Sequence, residues 1–113
     1  MSVYIHKSAI NKIYSADVIE HEEKYYVRVS DVAHVLGAKQ PFTFSSDIVK
    51  YFEGNHVIKT GVATEPFRRP DDNARTPYIE VSNIVYYLQT AKMGQPLSAN
   101  NKRRLIAELE AYL

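Results

Sequence analysis

The stretch of sequence that decides the fold reads YVRVSDVAHVLG, from Tyr26 to Gly37. Its first residues alternate in polarity as far as Val29, which predicts a short strand, and apolar residues at helical spacing follow. Ser30 stands where the helix needs an N-cap, since its hydroxyl can accept a bond from a free N–H of the first turn. Asp31 follows in that turn, where the helix dipole favours negative charge. Because Gly37 suits the left-handed conformation that commonly ends a helix, the stretch predicts a strand running directly into a short helix.

A second stretch, YIEVSNIVYYL from Tyr78 to Leu88, repeats this pattern. Ser82 occupies the place of Ser30, so both stretches predict a strand followed by a helix with a serine N-cap. Such a sequence repeat can arise by chance, because strand–serine–helix is a common local arrangement, or by duplication. The same local structure is predicted in both cases. Because both helices must face the sheet, we expect four apolar side chains to be buried, namely Val32, Leu36, Ile84 and Leu88.

The remaining elements follow from charge and hydrophobic periodicity. Strands at Ile13–Ile19 and Lys24–Val29 flank a charged turn from His21 to Glu23 and predict a β-hairpin. The further predicted elements are a helix from about Ser46 to Phe52, strands from His56 to Val62 and from Tyr78 to Val81, and a helix from about Asn83 to Lys92. A last helix opens with Pro96, Leu97 and Ser98. Its predicted buried stripe consists of Leu105, Leu109 and Tyr112 or Leu113. The predicted fold class is α+β, a small antiparallel sheet with about four helices in a winged helix-turn-helix-like arrangement.

The composition is that of one ordinary folded domain. The chain has 113 residues, of which 45% are hydrophobic and 24% charged, so a single domain over residues 1–113 is expected. The absence of cysteine excludes disulfides, thiolate zinc sites and a cysteine nucleophile. No apolar run approaches the roughly 18 residues of a membrane-spanning helix, and Met1 to Ile10 lacks the apolar core of a signal peptide. We therefore expect a cytoplasmic protein with no membrane partner, in a bacterial or a host cell.

Nothing in the sequence points to catalysis. The four histidines lack metal-ligand spacing, and no HExxH, Walker, GxGxxG or GxSxG motif is present. Asp71 and Asp72 form a lone acidic pair, which in a proline-rich loop is usually a solvated turn. We therefore expect a protein that is not an enzyme and has no catalytic residue, cofactor or metal site.

The first helix, the Gly37 turn and the second helix together indicate a helix-turn-helix, in which a short connection presents the second helix to a DNA groove. Side chains that can donate hydrogen bonds to phosphates or base edges lie around the start of the second helix, namely Lys39, Gln40, Thr43, Ser46 and Lys50. Two helices joined by a glycine also occur in many other folds, and Asp47 and Glu53 place negative charge on the candidate helix. The spacing alone therefore leaves open a purely structural pair of helices.

The loop from Thr64 to Pro77 is rich in proline and long for a compact domain. Because a predicted strand flanks it on each side, it is a candidate wing. It carries three arginines, a residue type suited to phosphate groups and narrow minor grooves, at Arg68, Arg69 and Arg75. A second basic cluster, expected to hold the DNA backbone nearby, consists of Lys102, Arg103 and Arg104.

The segment from Tyr26 to Gly37 resembles the core of the Bro-N domain, which is found in baculovirus repeated-ORF proteins and in phage and prophage antirepressors. Those domains open with a β-hairpin that runs into a DVAxxLG helix, matched here by Asp31 to Gly37, and later carry a strand-then-helix element like Tyr78 to Leu88. The order of elements agrees over about residues 13–110. The DVAxxLG motif is also similar to the first helix of MerR-type and excisionase-type winged helices. A full Bro-N domain carries a longer aromatic and arginine-rich stretch where this sequence has Lys102 to Arg104.

The resemblance implies a non-catalytic DNA-binding transcription regulator of phage or prophage type, with double-stranded DNA as its partner. Because the net charge is only +1, we expect a monomer to bind DNA weakly and to depend on a homodimer. The alternative is a protein-interaction module that binds a repressor or another protein without binding DNA, as an antirepressor would. The near-neutral charge and nine tyrosines favour this alternative, whereas the arginines of the wing favour DNA.

Overall fold

The computed structural model describes residues 4–9, 15–52, 57–59, 77–91 and 97–113, with side chains described for 16–52, 77–91 and 97–113. Within these residues the strands are β1 (Tyr4–Ala9), β2 (Ser15–His21), β3 (Lys24–Arg28), β4 (Val57–Lys59) and β5 (Pro77–Glu80). The helices there are α1 (Val29–Val35), α2 (Pro41–Tyr51), α3 (Val81–Thr90) and α4 (Ala99–Leu109), which a short 3-10 turn, Glu110–Tyr112, follows. The predicted α+β class is confirmed, whereas the winged helix-turn-helix arrangement stays a prediction.

The strands form an antiparallel sheet, with the order β1-β2-β3-β5-β4 in the described part of the chain. The predicted hairpin is confirmed as β2–β3, in which His21 pairs with Lys24 across Glu22 and Glu23. The sequence pattern does not predict β1, which pairs with β2 along its whole length. The sheet therefore extends one strand beyond the hairpin, at the edge opposite to β5 and β4.

The two repeated stretches form matching strand–helix units. β3 runs into α1 without a loop, and β5 runs into α3 in the same way at the equivalent positions of the repeat. The two strands pair antiparallel with Val27 opposite Ile79, and with Tyr26 opposite Glu80. An approximate two-fold axis through the Val27–Ile79 pair therefore relates the units, and it places α1 and α3 on the same face of the sheet. The shared local structure predicted from the sequence echo is confirmed.

The core lies between this face of the sheet and the helices. Four side chains predicted to be buried are each at most 1% exposed, namely Val32, Leu36, Ile84 and Leu88. The predicted inner faces of α1 and α3 are thus confirmed. Leu105 and Leu109 of α4 are fully buried, whereas Leu113 is 66% exposed, so the apolar stripe of the last helix ends at the half-buried Tyr112.

The predicted serine N-caps are wrong. α1 and α3 each begin one residue before Ser30 and Ser82, and neither helix, both being described in full, has a side-chain cap bond. Because extended backbone passes straight into the helix, both serines already lie inside the first turn, and Ser82 donates its hydroxyl to Glu80 Oε2 at 3.1 Å. By contrast, Ser98 caps α4, since its Oγ accepts from the Asn101 N–H at 3.2 Å.

α2 begins at Pro41, well before the predicted start near Ser46. Proline is favoured at the first helical position because its φ is already set and it has no N–H that would need a partner. Phe44 and Ile48 are the buried residues of this helix and fix its inner face. Thr43 consequently lies in the first turn of α2 rather than in the connection before it.

The turn between β2 and β3 carries backbone strain. Glu22 and Glu23 have φ values of 51° and 66°, which lie in the left-handed region. A two-residue hairpin turn with positive φ at both positions is of type I′, which favours asparagine followed by glycine. A residue with a Cβ in this region costs roughly 1 kcal/mol or more. The hairpin therefore has a turn sequence that does not suit its turn geometry.

Exchanging both turn residues, Glu22→Asn with Glu23→Gly, is expected to raise the free energy of unfolding by about 1 kcal/mol. Urea unfolding followed by circular dichroism measures the change. Glu108→Gly inside α4 is the matched control and should lower stability by about 1 kcal/mol, because glycine is unfavourable in a helix interior. A loss of stability in the turn variant would show that the turn geometry is wrongly described.

Candidate nucleic-acid interface

The connection between α1 and α2 is a short turn that Gly37 makes sharp. Gly37 has a φ of +73°, its N–H donates to the His34 carbonyl at 3.1 Å, and the Ala38 N–H donates to the Ala33 carbonyl at 3.0 Å. This pair of bonds is the Schellman motif that ends a helix with a left-handed glycine. The predicted role of Gly37 is confirmed. Only residues 36–40 separate the two helices, so α2 is held close to α1.

Asp31 fixes α1 on the sheet through a buried ion pair. Arg28 Nη1 donates to Asp31 Oδ1 at 3.0 Å, and the backbone N–H of Asp17 donates to Asp31 Oδ2 at 2.9 Å. Arg28 and Asp31 are each only 5% exposed. One carboxylate thus joins the end of β3, the first turn of α1 and strand β2. The sequence pattern predicts only a dipole effect for this residue, because the partner strand is distant along the chain.

α2 presents a polar face on the side opposite its buried residues. At about 100° per residue, Thr43, Ser46 and Lys50 fall within an arc of about 60°. Thr43 and Lys50 are exposed and Ser46 is half-buried, while Lys39 and Gln40 lie exposed immediately before the helix. The structure therefore brings three of the predicted residues together on one side of α2, with the other two exposed just before its first turn, and we call the five together the α2 face (Lys39, Gln40, Thr43, Ser46 and Lys50).

An aromatic cluster holds the end of α2 against α3. The Tyr51 ring meets the Tyr87 ring edge-on at 5.0 Å and the Phe52 ring at 4.8 Å. Burial is the main cause that raises the pKa of Tyr87, and the Asp47 carboxylate is the second, since both disfavour the phenolate. Asp47 is exposed at the margin of the α2 face, on the side of α3. Its negative charge therefore bounds the α2 face rather than lying at its centre, while Glu53 is outside the described residues.

α4 starts beside the α1–α2 turn. The Ser98 N–H donates to the Leu36 carbonyl at 2.9 Å, and Asn101 Nδ2 donates to the Val35 carbonyl at 2.9 Å. These bonds satisfy carbonyl groups at the C-terminal end of α1, where a helix otherwise leaves them without partners. The sequence pattern does not predict this role of Asn101, because Val35 is remote along the chain. The N-terminal end of α4 is thereby fixed next to the turn that precedes α2.

The second basic cluster follows directly in α4. Lys102 is half-buried, whereas Arg103 and Arg104 are exposed, and the Arg103 guanidinium donates to the side-chain oxygen of Asn100. α4 begins beside the turn, so these three residues belong to its first two turns, and at about 100° per residue their side chains spread over about 200° around the helix. The backbone of the α4 cluster (Lys102, Arg103 and Arg104) thus follows directly on the contacts of Ser98 and Asn101 with the end of α1.

Phe42 is a residue that the sequence pattern missed. It is 85% exposed at the second position of α2, the most exposed large hydrophobic side chain in the described part of the chain. The predicted helix begins four residues later, at about Ser46, so the prediction gives Phe42 no position on a helical face. On the observed helix, Phe42 lies about 40° from Ser46, at the edge of the α2 face.

The two strands predicted to flank the wing pair with each other at the edge of the sheet. β4 and β5 are antiparallel, with Val57 opposite Ile79 and Lys59 opposite Pro77. β4 covers the described part of the predicted strand His56–Val62, and β5 begins and ends one residue before the predicted strand Tyr78–Val81. The arginines predicted at the tip of the wing, Arg68, Arg69 and Arg75, lie outside the described residues, so the structure does not test them.

The described residues contain neither a candidate metal site nor a candidate membrane-spanning helix. No group of three or more histidine, aspartate or glutamate side chains there is arranged to hold a metal ion. No helix in the described ranges is long and apolar enough to cross a membrane. The candidate interaction features of the described residues are the α2 face, the α4 cluster and the exposed aromatic side chains.

The chain matches no protein-family model, and no curated protein or solved structure is significantly similar to it. The resemblance to the Bro-N domain accordingly rests on the residues quoted for it, above all the segment from Asp31 to Gly37. It stays a prediction.

Proposed function

We propose that the chain is a non-catalytic transcription regulator of phage or prophage type that binds double-stranded DNA through α1, the Gly37 turn and α2. The observation that carries the proposal is the α2 face: polar and basic side chains share one side of a helix that a short turn ties to the helix before it. In helix-turn-helix proteins the second helix enters the major groove, and residues near its N-terminal end contact base edges. The resemblance to the Bro-N domain supports the same assignment.

The side chains of the α2 face suit distinct roles. Gln40 has an amide that can pair with adenine in two hydrogen bonds, and the hydroxyls of Thr43 and Ser46 can bond either bases or phosphates. Lys39 and Lys50 are suited to phosphates as point charges. No acidic residue lies in the first turn of α2, so the positive end of the helix dipole faces the phosphates without competition.

The basic residues outside α2 would hold the DNA backbone. We propose that the α4 cluster, which follows the start of α4 beside the turn, contacts phosphates flanking the groove that α2 enters. The wing arginines, proposed from the sequence, would add phosphate or minor-groove contacts. Because the net charge is +1, one copy binds weakly, and we propose a homodimer that binds two half-sites.

The proposal is tested by measuring affinity for a generic duplex across a range of salt concentrations. The logarithm of the binding constant should fall linearly with the logarithm of the salt concentration, with a slope of about −0.9 for each phosphate contact. Lys50→Gln should flatten the slope by about one unit. The matched control is Lys24→Gln, which removes an exposed charge at the opposite end of β3 from α1 and should leave the slope unchanged. Absence of binding to any duplex at low salt would contradict the proposal.

The contribution of the wing is tested separately. The double variant Arg68→Ala with Arg69→Ala should weaken binding to all sequences and flatten the salt slope by up to about two units, with the fold intact. Changes at Thr43 or Ser46 should instead alter which sequence is preferred. An unchanged affinity in the arginine variant would remove the wing from the interface but leave the role of α2 untouched.

A protein-interaction module is the second candidate function. The observation that favours it is the set of exposed aromatic side chains on α2 and α3, namely Phe42, Tyr51 and Tyr86, which are 85%, 50% and 55% exposed. Tyrosine and phenylalanine are enriched in protein interfaces. If the duplex assay finds no binding, this candidate predicts that Tyr51→Ala and Tyr86→Ala abolish capture of a repressor protein.

A further inference from the structure

We propose that Phe42 contacts the 5-methyl group of thymine in the major groove and thereby selects an A·T pair at one position of the DNA site. This inference rests on the proposed DNA-binding function and names an apolar base contact, which the hydrogen-bonding groups of the α2 face do not make.

The position of Phe42 carries the inference. The side chain lies at the second position of α2 and is 85% exposed, so its ring is not part of the hydrophobic core. At about 100° per residue, Phe42 and Thr43 bound an arc of about 100° that also contains Ser46 and Lys50. Single exposed hydrophobic residues are common on protein surfaces and need no explanation in general. Phe42, however, is the apolar member of a face whose other members are polar or basic.

The chemistry of the major groove limits what such a ring can contact. Base pairs present hydrogen-bond donors and acceptors there, which a phenyl ring cannot pair with, and the 5-methyl group of thymine is the apolar group among them. Phenylalanine is one of the side chains that make this contact. The ring is large and rigid, so it loses little conformational entropy when it is held against the methyl group.

The charges around Phe42 favour DNA over a second protein chain as the occupant of this surface. Lys39 precedes it and Lys50 lies on the same face, whereas the first turn of α2 has no acidic residue. Asp47, at the margin of the α2 face, lies about 140° around the helix from Phe42. An apolar side chain flanked by positive charge matches a methyl group flanked by phosphates.

The test compares thymine with deoxyuridine, which differs only in lacking the 5-methyl group. A duplex that the wild-type protein prefers is first selected from a randomised pool, and each thymine is then replaced in turn by deoxyuridine. At one thymine, or at its equivalent in each half-site, the replacement should weaken wild-type binding about fourfold, since one buried methyl group is lost. Phe42→Ala should bind the two duplexes equally. Tyr86→Ala, which removes an exposed aromatic ring from α3, is the matched control and should keep the preference.

The outcomes separate this inference from the proposed function. If wild-type protein binds the selected duplex but no deoxyuridine replacement weakens binding, or if Phe42→Ala keeps the preference, Phe42 does not contact a thymine methyl group and the DNA-binding proposal stands. If the pool yields no preferred sequence, base selection by Phe42 is overturned. If no duplex binds at low salt, both the DNA-binding proposal and this inference are contradicted. Since Phe42 is exposed, the alanine variant should unfold at the wild-type temperature, which a thermal melt verifies.

Discussion

Asp31→Ala is expected to lower the free energy of unfolding by about 3–5 kcal/mol, because a buried ion pair loses one of its two charges. The Arg28 guanidinium would stay in a site where it is 5% exposed, and the Asp17 N–H would lose its acceptor at 2.9 Å. Since this carboxylate joins β2, the end of β3 and α1, the loss should also loosen the helix that precedes the α1–α2 turn. Urea unfolding followed by circular dichroism measures the change.

Two comparisons isolate the ion pair. Asp47→Ala removes an exposed carboxylate from α2 and should change stability by no more than about 0.5 kcal/mol. The double variant Arg28→Met with Asp31→Leu replaces both charges by apolar side chains, so it should recover part of the loss. About 1–3 kcal/mol should remain lost, because the Asp17 N–H still lacks an acceptor. An Asp31→Ala protein within about 1 kcal/mol of wild type would contradict the described contact.

The second large effect is expected from Leu36→Ala, which should lower the free energy of unfolding by about 2–5 kcal/mol. Leu36 is fully buried at the C-terminal end of α1, so truncating it leaves a cavity as well as losing apolar burial. Its backbone carbonyl, which accepts from the Ser98 N–H, is unaffected by the substitution. The cost is therefore that of side-chain packing alone.

Leu113→Ala is the matched control for this measurement. Leu113 is 66% exposed, so the same truncation there should cost less than about 0.5 kcal/mol. A loss below about 1 kcal/mol for Leu36→Ala would show that the inner face of α1 is wrongly assigned. Both variants can be compared in the same urea titration.

The strand–helix repeats could be predicted from sequence because their signals are local. Alternation before Val29, helical spacing after it and a glycine at position 37 each depend on neighbouring residues, and the structure confirms the units and the four buried side chains. The serine N-caps failed for a local reason too: Ser30 has the right chemistry, but the strand passes into the helix one residue earlier. Local chemistry thus predicts the presence of a helix correctly but misplaces its first residue by one position.

Contacts between distant parts of the chain could not be predicted. β1 is a strand because it pairs with β2, and no feature of its own short sequence requires that pairing. Asp31 accepts from a backbone group of β2, and Asn101 donates to the Val35 carbonyl across most of the chain. Each of these depends on how the elements pack, which hydrophobic periodicity does not encode.

The candidate site was predictable in its residue types and not in its boundaries. The sequence predicts the hydrogen-bond donors of the α2 face, and three of them, Thr43, Ser46 and Lys50, share one side of the observed helix. Phe42 was missed because the helix was predicted to begin after it, so the helical face that it shares was not apparent. Pro41 was the signal that could have corrected the boundary, since proline favours the first position of a helix.

The most direct test of the account is to map a bound duplex onto the protein by NMR. Backbone amide shifts of the isotope-labelled chain are recorded while a short double-stranded DNA is added at low salt. The account predicts that the shifts that change are concentrated in residues 39–50 and 102–104, with little change at Lys24 or on the outer side of α3 around Tyr86. Changes confined to α3, or no change at a saturating concentration of DNA, would contradict the claim that the α2 face binds DNA.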